Sequence, residues 1–254
     1  MKVEADGVVE GLFWAELRDR KWPATLSLAP GHSVYGELVI VQDGAEYRVW
    51  DPFRSKLSAS LLKGLSAMPL RRGSRVLYLG ASTGTTVSHV SDLVGPEGLV
   101  FAVEVAHRVA RELLEKVVKY RRNVVPIVGD ARNPESYRSV FGLADVVYCD
   151  IAQPDQTAIA LLNCRRYLKK GGHLMLVVKA RSIDSTREPS SIVEEEASKV
   201  REDGLSVLQT LALDPFDRDH AMMLAVKGTA TSRPRPSSSS GRPPVGRPHP
   251  SRLL

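Results

Sequence analysis

The chain has 254 residues, of which 43% are hydrophobic and 25% charged, enough to bury a full α/β core with a smaller unit beside it. No apolar run reaches membrane-spanning length and the segment Met1–Asp6 carries no secretory apolar stretch, so a soluble cytoplasmic protein with no membrane partner is expected. The net charge of +6 is concentrated in residues 231–254, which hold five arginines and no acid and leave only +1 on the body; global charge therefore says little about a nucleic-acid partner.

Residues 1–65 read as a small N-terminal β domain. Alternating runs such as Val8-Val-Glu-Gly-Leu-Phe-Trp-Ala-Glu-Leu17 and Gly36-Glu-Leu-Val-Ile-Val-Gln42 are punctuated by Pro23, Pro30-Gly31 and Asp43-Gly44. The segment Glu46-Tyr-Arg-Val-Trp-Asp-Pro-Phe-Arg-Ser-Lys-Leu57 closes that unit and leads into a short helix through Leu65. Trp14 and Trp22 are candidates for an exposed docking surface, although core packing is the commoner fate of tryptophan.

The stretch Arg75-Val-Leu-Tyr-Leu-Gly-Ala-Ser-Thr-Gly-Thr-Thr-Val-Ser-His-Val90 breaks an apolar strand into a glycine-containing turn and resumes with helical spacing. Gly80 and Gly84 permit a sharp turn and close approach of a ligand, and the helix that follows points free N–H groups at the same space. The spacing is G-x-x-x-G-T-T. It has neither the middle glycine of dinucleotide binders nor the G-K-[ST] of a triphosphate cradle. A cofactor without pyrophosphate remains, and S-adenosyl-L-methionine fits. Gly98-Leu-Val-Phe-Ala-Val-Glu104 agrees, ending a strand in an acid about twenty residues past the loop, where ribose hydroxyls are bound in nucleotide-binding α/β units.

Strands are expected at residues 75–80, 99–104, 123–128, 144–149, 172–178, 205–213 and 220–227, with helices near 85–94, 106–120, 134–140, 155–168 and 189–203. The loop Asp214-Pro-Phe-Asp-Arg-Asp219 is too short for a parallel crossover, so the last two strands form an antiparallel hairpin. Five parallel strands with a final antiparallel hairpin is the Rossmann-like pattern of S-adenosylmethionine-dependent methyltransferases, an α/β fold with a seven-stranded sheet, assigned to residues 66–229. The Arg/Pro/Ser-rich tail at 230–254 cannot offset its chain entropy and is expected to be disordered. Cys149 and Cys164 lack metal or redox spacing, so free buried thiols and no metal site are expected. Three basic clusters (Arg71, Arg72 and Arg75; Lys119, Arg121 and Arg122; Arg165, Arg166, Lys169 and Lys170) are either phosphate-contacting patches or solvated helix ends.

Ligands of an open α/β sheet bind outside the carboxyl ends of its strands. Glu104, Asp130, Asp150 and Lys179 each stand at or just past such an end, and His220 opens the final antiparallel strand, which places it at the same rim beside Asp150 and Lys179.

These residues carry a resemblance. Over nearly all of residues 1–229 the chain is similar to archaeal fibrillarins, the 2′-O-methyltransferases of box C/D guide-RNA particles. The shared features are Arg54-Ser-Lys-Leu57 after Trp50-Asp-Pro52, the loop from Gly80 to Val90, Val128-Gly-Asp-Ala131, Asp150-Ile-Ala-Gln-Pro154, Lys179-Ala-Arg-Ser-Ile-Asp-Ser-Thr186 and Arg218-Asp-His-Ala221. The resemblance implies a catalytic set of Lys56, Asp150, Lys179 and His220, of which Lys56 comes from the resemblance alone. It implies cofactor contacts at Thr85, Thr86, Glu104, Val105, Asp130, Ala131, Asp150, Ile151, Ala152 and Gln153. Ser82-Thr83 departs from the family's usual Ala-Ser and puts side-chain contacts at Thr83 in doubt.

A 2′-hydroxyl is a poor nucleophile at neutral pH and needs its proton weakened or removed. Asp150 is the first choice to orient or accept that proton, with Lys179 supporting it by charge and Lys56 and His220 positioning the ribose and its phosphate; the sequence leaves open which of the four is the base. Aromatic residues make up only 6% of the chain, and no RNA-reading module is evident. The resemblance supplies the partners instead: a box C/D guide RNA that pairs with target rRNA or tRNA, a Nop-family scaffold protein and a kink-turn-binding ribosomal-type protein. Two rival readings stand, a guide-independent methyltransferase of another substrate class and a non-catalytic particle subunit. Retention of every polar rim residue argues against the second.

Overall fold

Strand and helix in this chain follow the period of the apolar residues, and the computed structural model, which describes residues 2–18, 20–138 and 142–228, shows where that pattern leads. The N-terminal part is an antiparallel sheet of β1 (Val3–Ala5), β2 (Leu12–Leu17), β3 (Arg20–Leu26), β4 (Val39–Gln42) and β5 (Ala45–Val49), in the order β1-β2-β3-β5-β4. The strand expected from Val8 starts only at Leu12, because Asp6 Oδ1 accepts from the amides of Val8 (2.8 Å) and Val9 (2.7 Å) and curls the chain into a turn. Pro23, read as punctuation, lies inside β3. Its carbonyl accepts from Trp50 N, beyond the last residue of β5, so the missing N–H interrupts no ladder bond.

After α1 (Lys56–Leu62) come β6 (Arg75–Leu79), α2 (Thr85–Val94), β7 (Leu99–Glu104), α3 (His107–Lys116), β8 (Val124–Val128), β9 (Ala144–Cys149), α4 (Gln156–Tyr167), β10 (Leu168–Lys179), α5 (Ala180–Ile183), α6 (Pro189–Glu202), β11 (Leu205–Ala212) and β12 (His220–Lys227). The sheet order is β11-β12-β10-β9-β6-β7-β8, with β12 antiparallel to both β10 and β11 and the other five strands parallel. This is the expected α/β architecture. Strand order reverses between β6 and β9, which makes their carboxyl ends the switch point where such sheets bind ligands. Side chains alternate across the sheet: Val76 and Tyr78 join the core beneath α2, while Leu77 and Leu79 join the core of the opposite face.

Local boundaries differ from the pattern in several places, among them α1, which ends at Leu62 and not at Leu65, and α5, which the pattern did not give. The helix expected over residues 106–120 ends at Lys116 and passes into a 3-10 turn at Val118–Tyr120, where the β-branched pair Val117-Val118 packs inward. Only a 3-10 turn, Pro134–Tyr137, occupies the region read as a helix at 134–140, whose last two residues lie outside the described set. β10 begins four residues early and absorbs Gly171 and Gly172 through an irregular register between Leu168 and His173. The tail at 230–254 also lies outside the described residues.

The two sheets are joined through α2, nine of whose ten residues are buried. Arg48 of β5, fully enclosed, donates from Nε to Glu37 Oε1 (2.7 Å), from Nη1 to Asp92 Oδ2 (2.6 Å) and from Nη2 to Ser88 Oγ (2.8 Å). Asp92 also accepts from Thr25 Oγ1 (2.9 Å), Leu28 N (3.0 Å) and Arg121 Nη2 (3.4 Å). His89 stacks on Trp50 at 4.8 Å and bonds Thr25 Oγ1 through Nδ1 (2.8 Å) and Tyr35 OH through Nε2 (2.9 Å). The Thr25 hydrogen goes to Asp92, so Nδ1 is the donor to Thr25 and Nε2 the acceptor from Tyr35. Burial, reinforced by the nearby charges of Arg48 and Arg121, pushes the imidazole well below its usual range and keeps it neutral.

Burial alone would raise the Glu37 carboxyl, but the Arg48 charge and the amides of Tyr35 and Val34 outweigh it and hold Glu37 at about 2. A carboxyl lowered by folding contributes stability above its unfolded value and loses it as pH falls toward the folded value. Urea unfolding should therefore lose roughly 2–3 kcal/mol of stability from this group between about pH 5 and pH 2. In Glu37→Gln that step is expected to vanish, and an unchanged pH slope in the variant would remove Glu37 from the linkage.

Candidate active site at the carboxyl rim

Both glycines of the β6–α2 turn adopt positive φ, +81° at Gly80 and +96° at Gly84. What crowds them is the chain itself. A Cβ on Gly80 would lie 2.7 Å from the Asp150 carbonyl oxygen, and one on Gly84 would lie 2.4 Å from Val117 Cγ2 and 2.7 Å from Leu113 Cδ1. Gly84 thus lets the start of α2 pack against the end of α3. Gly80 borders a cavity at the sheet's switch point while also letting β6 and β9 close together at their ends.

That cavity, about 300 Å³, opens at the switch point. Glu104, Val105, Asp130, Ala131, Asp150, Ile151, Ala152 and Gln153 all line it, joined by Ser82, Gly129, Arg132 and Lys179. Glu104 is held by two amides, Ser82 N to Oε2 at 2.8 Å and Ala106 N to Oε1 at 2.9 Å, so the glycine loop itself orients this acid. Arg132, absent from the sequence-derived set, ties the ends of β8 and β9: it bonds Gln153 Oε1 (3.0 Å) and both Asp155 oxygens (3.2 Å each) and lies 3.7 Å from Asp130. Its position two residues after Asp130 in the same strand-end turn was the available signal. Thr85 and Thr86 do not line the cavity. The Thr86 hydroxyl instead meets Ser55 Oγ at 2.9 Å, linking α2 to the N-cap of α1.

The four residues read as catalytic fall along one chain of close polar contacts. Lys179 Nζ lies 2.7 Å from Asp150 Oδ1 and donates to the Asp150 carbonyl at 3.1 Å; Lys56 Nζ lies 3.4 Å from Asp150 Oδ2. Lys56 heads α1, and the Trp50 carbonyl accepts from Ser58 Oγ (2.6 Å), so the strand end that stacks on His89 also fixes this helix. His220 stands directly opposite Lys179 in the β10–β12 register, as the strand geometry predicted. Its ring, however, turns to the loop before β12, with Nδ1 2.7 Å from Arg218 O and 2.9 Å from Asp217 Oδ1. Asp217 Oδ2 in turn lies 3.5 Å from Lys56 Nζ, completing the series Lys179–Asp150–Lys56–Asp217–His220. Sequence reading placed Asp217 only in a loop, because its two partners are brought to it by different elements.

Of the basic clusters, Arg121 is 2% exposed and serves Asp92 inside the core, so it belongs to no surface patch. Arg165, Arg166 and Lys169 pair with Asp203, Glu135 and Asp145. Trp14 is half-buried and donates to Asp6 Oδ2 (2.8 Å), while Trp22 borders an apolar hollow with Leu17 and Leu38. Cys149 and Cys164 are free and buried, and burial pushes the Cys149 thiol up to about 12.

Residues 3–229 match the family model for fibrillarin. The chain belongs to the fibrillarin family. A fibrillarin-like rRNA/tRNA 2′-O-methyltransferase of Sulfurisphaera tokodaii is 51% identical over 217 residues, covering 85% of this chain and 93% of that protein. Among solved structures, Aeropyrum pernix fibrillarin in complex with natively bound S-adenosyl-L-methionine superposes with a TM-score of 0.83 at 48% identity, covering 89% of this chain and 98% of the other. A fibrillarin/Nop5p complex matches with a TM-score of 0.74 at 41% identity, covering 84% and 97%. The fold is therefore that of S-adenosylmethionine-dependent methyltransferases.

The crowding at Gly84 has a measurable consequence. Gly84→Ala should lower the unfolding free energy by about 1–3 kcal/mol while the folded fraction still binds S-adenosylmethionine within a few-fold of wild type. Calorimetry and equilibrium titration test this together; an undisturbed Tm with lost binding would return Gly84 to the ligand.

Proposed function

We propose that this chain transfers a methyl group from S-adenosyl-L-methionine to the ribose 2′-hydroxyl of rRNA and tRNA nucleotides selected by a box C/D guide RNA. It does so within a cytoplasmic particle that includes a Nop-family scaffold protein and a kink-turn-binding protein. One observation carries the reading: Asp150 is at once a wall of the switch-point cavity and the centre of the Lys179–Asp150–Lys56 cluster. A cofactor seated in the cavity and a hydroxyl held by the cluster meet at one residue.

The cavity's residues fit the cofactor. Glu104, pinned by two amides, keeps acceptor capacity for vicinal ribose hydroxyls, and Val105, Ala131 and Ile151 offer apolar surface to a flat base. When bound, the cofactor supplies a methyl group already activated on a sulfonium. The remaining task is alignment. Asp150, held from both sides by ammonium groups, is a fixed acceptor for the 2′-hydroxyl hydrogen, and Lys56 and Lys179 add positive charge where the ribose-phosphate backbone approaches. Target choice rests with guide pairing, consistent with an aromatic content of only 6%. The names of the Sulfurisphaera relative and of the Aeropyrum and Nop5p complexes support the substrate, the cofactor and the scaffold in turn.

Radiolabelled methyl transfer to a target RNA, with guide RNA and scaffold proteins present or omitted, tests the whole reading: label should appear at the guided 2′-hydroxyl only in the complete mixture. Asp150→Ala should reduce single-turnover transfer by about 10²- to 10⁴-fold while cofactor affinity stays within a few-fold. Loss of that affinity would make Asp150 a binding residue instead.

A further inference from the structure

We propose that the cleft between the amino ends of β6 and β10 is an RNA-backbone site, separate from the rim, in which Arg71 and Lys170 take phosphodiester groups. The inference rests on the RNA reading above and adds a second point of contact to it.

Two of the basic runs in the sequence meet in this cleft. The strand order β10-β9-β6 sets the start of β9 between the other two, and Asp145, at that start, accepts from Arg75 N (2.8 Å) on one side and from Lys169 Nζ (2.8 Å) on the other. One carboxylate thus binds the turn that leads into β6 to the irregular start of β10. Gly172 draws the second segment inward, since a Cβ there would lie 2.9 Å from the Asp145 carbonyl oxygen and 2.7 Å from Leu168 Cδ1. The result is a cleft of about 590 Å³ lined by both segments and by His173.

Its charge is unbalanced. Elsewhere on the same domain exposed cations sit against acids, as Arg111 does with Glu115, Lys116 with Glu112, Arg166 with Glu135 and Arg187 with Glu195. In the cleft Asp145 is the one acid among the lining residues and it is paired with Lys169, whereas the exposed side chains of Arg71 and Lys170 have no hydrogen bond or ion pair among the described residues. Arg72 donates from Nη1 to the Asp92 carbonyl (3.4 Å) and is occupied there. Burial and the Arg71 charge hold the His173 imidazole below its usual range, which leaves a neutral hydrogen-bonding group beside the two cations. Like charges that border one cleft repel, and an anion between them removes the repulsion.

The ligand that fits carries repeated negative charge and needs no apolar seat, which is the chemistry of a nucleic-acid backbone. No Phe, Tyr or Trp lines the cleft, so there is no ring on which a base could stack, and the contact positions RNA without reading its sequence. β9 runs six residues from this cleft to the rim, about 20 Å at the usual rise per residue. The stretch of RNA held here is therefore not the nucleotide whose ribose reaches Asp150.

Binding of a fluorescein-labelled RNA hairpin to the full chain, followed by anisotropy from about 50 to 200 mM salt, tests the assignment. Combining Arg71→Gln with Lys170→Gln should flatten the slope of log affinity against log salt by about 2, close to one for each phosphate contact removed, with S-adenosylmethionine affinity within a few-fold of wild type. Both side chains are exposed, so the core is left intact. Combining Arg111→Gln with Lys116→Gln removes the same net charge from α3, where both cations have acid partners, and should leave the slope within about 0.5 of wild type. An equal change in both double variants, or none in the first, would overturn the proposal. So would a poly-glutamate peptide whose binding is lost in the first double variant while RNA binding is unchanged, which would make the cleft a seat for an acidic protein segment. A complete particle that transfers no methyl group while the difference in slope persists would overturn the methyl-transfer reading and leave this contact supported.

Discussion

A single guanidinium, that of Arg48, sits without solvent contact between Glu37 of the β3–β4 connection and Asp92 of α2, and the site's geometry depends on it. A buried ion pair contributes little over a well-packed apolar substitute, but once present, removal of one partner leaves a charge stranded in the core. What the arrangement secures is register. Arg48 fixes the face of α2 that meets the small sheet, and through Ser88, His89 and Asp92 that helix is gripped at successive turns. The first residues of the same helix close the glycine turn that borders the cofactor cavity, and Thr86 reaches the cap of the helix bearing Lys56.

The rim itself is governed by alternating charge. From Lys179 to Asp217 lysine and aspartate alternate, so these side chains converge without a large net field. Each partial burial is offset by a neighbour, which lets long side chains such as those of Lys56 and Lys179 hold one position instead of many. Such fixed dipoles are the kind of environment in which a weak nucleophile can be aligned without reorganising the protein.

Much of this could be read from the amino-acid order. Strand-end positions follow from apolar runs of known length, so Glu104, Asp130, Asp150 and Lys179 could be placed on one rim before any coordinates, and the shortness of the loop before β12 brought His220 there too. Side-chain direction could not be read in the same way. A histidine at the right strand end can face either the sheet or the loop, and only the structure shows it turned to Asp217. Arg121 was misread for a related reason: an arginine in a basic run does not announce an acid 29 positions away. Lys56 carried no local signal, since it is brought to Asp150 across 94 residues by the docking of one sheet on another.

That docking divides labour between the two sheets. The residues lining the cofactor cavity all belong to the larger sheet and its connections, whereas Lys56 arrives from the chain that leaves the smaller one. Walling the cavity and bringing Lys56 to Asp150 are thereby assigned to separately anchored parts of the molecule. If the smaller sheet loosens by local opening, the cavity can keep its walls while the polar chain is broken at its centre. Loss of one anchor therefore leaves the other's geometry in place, and the rim is complete only while both hold.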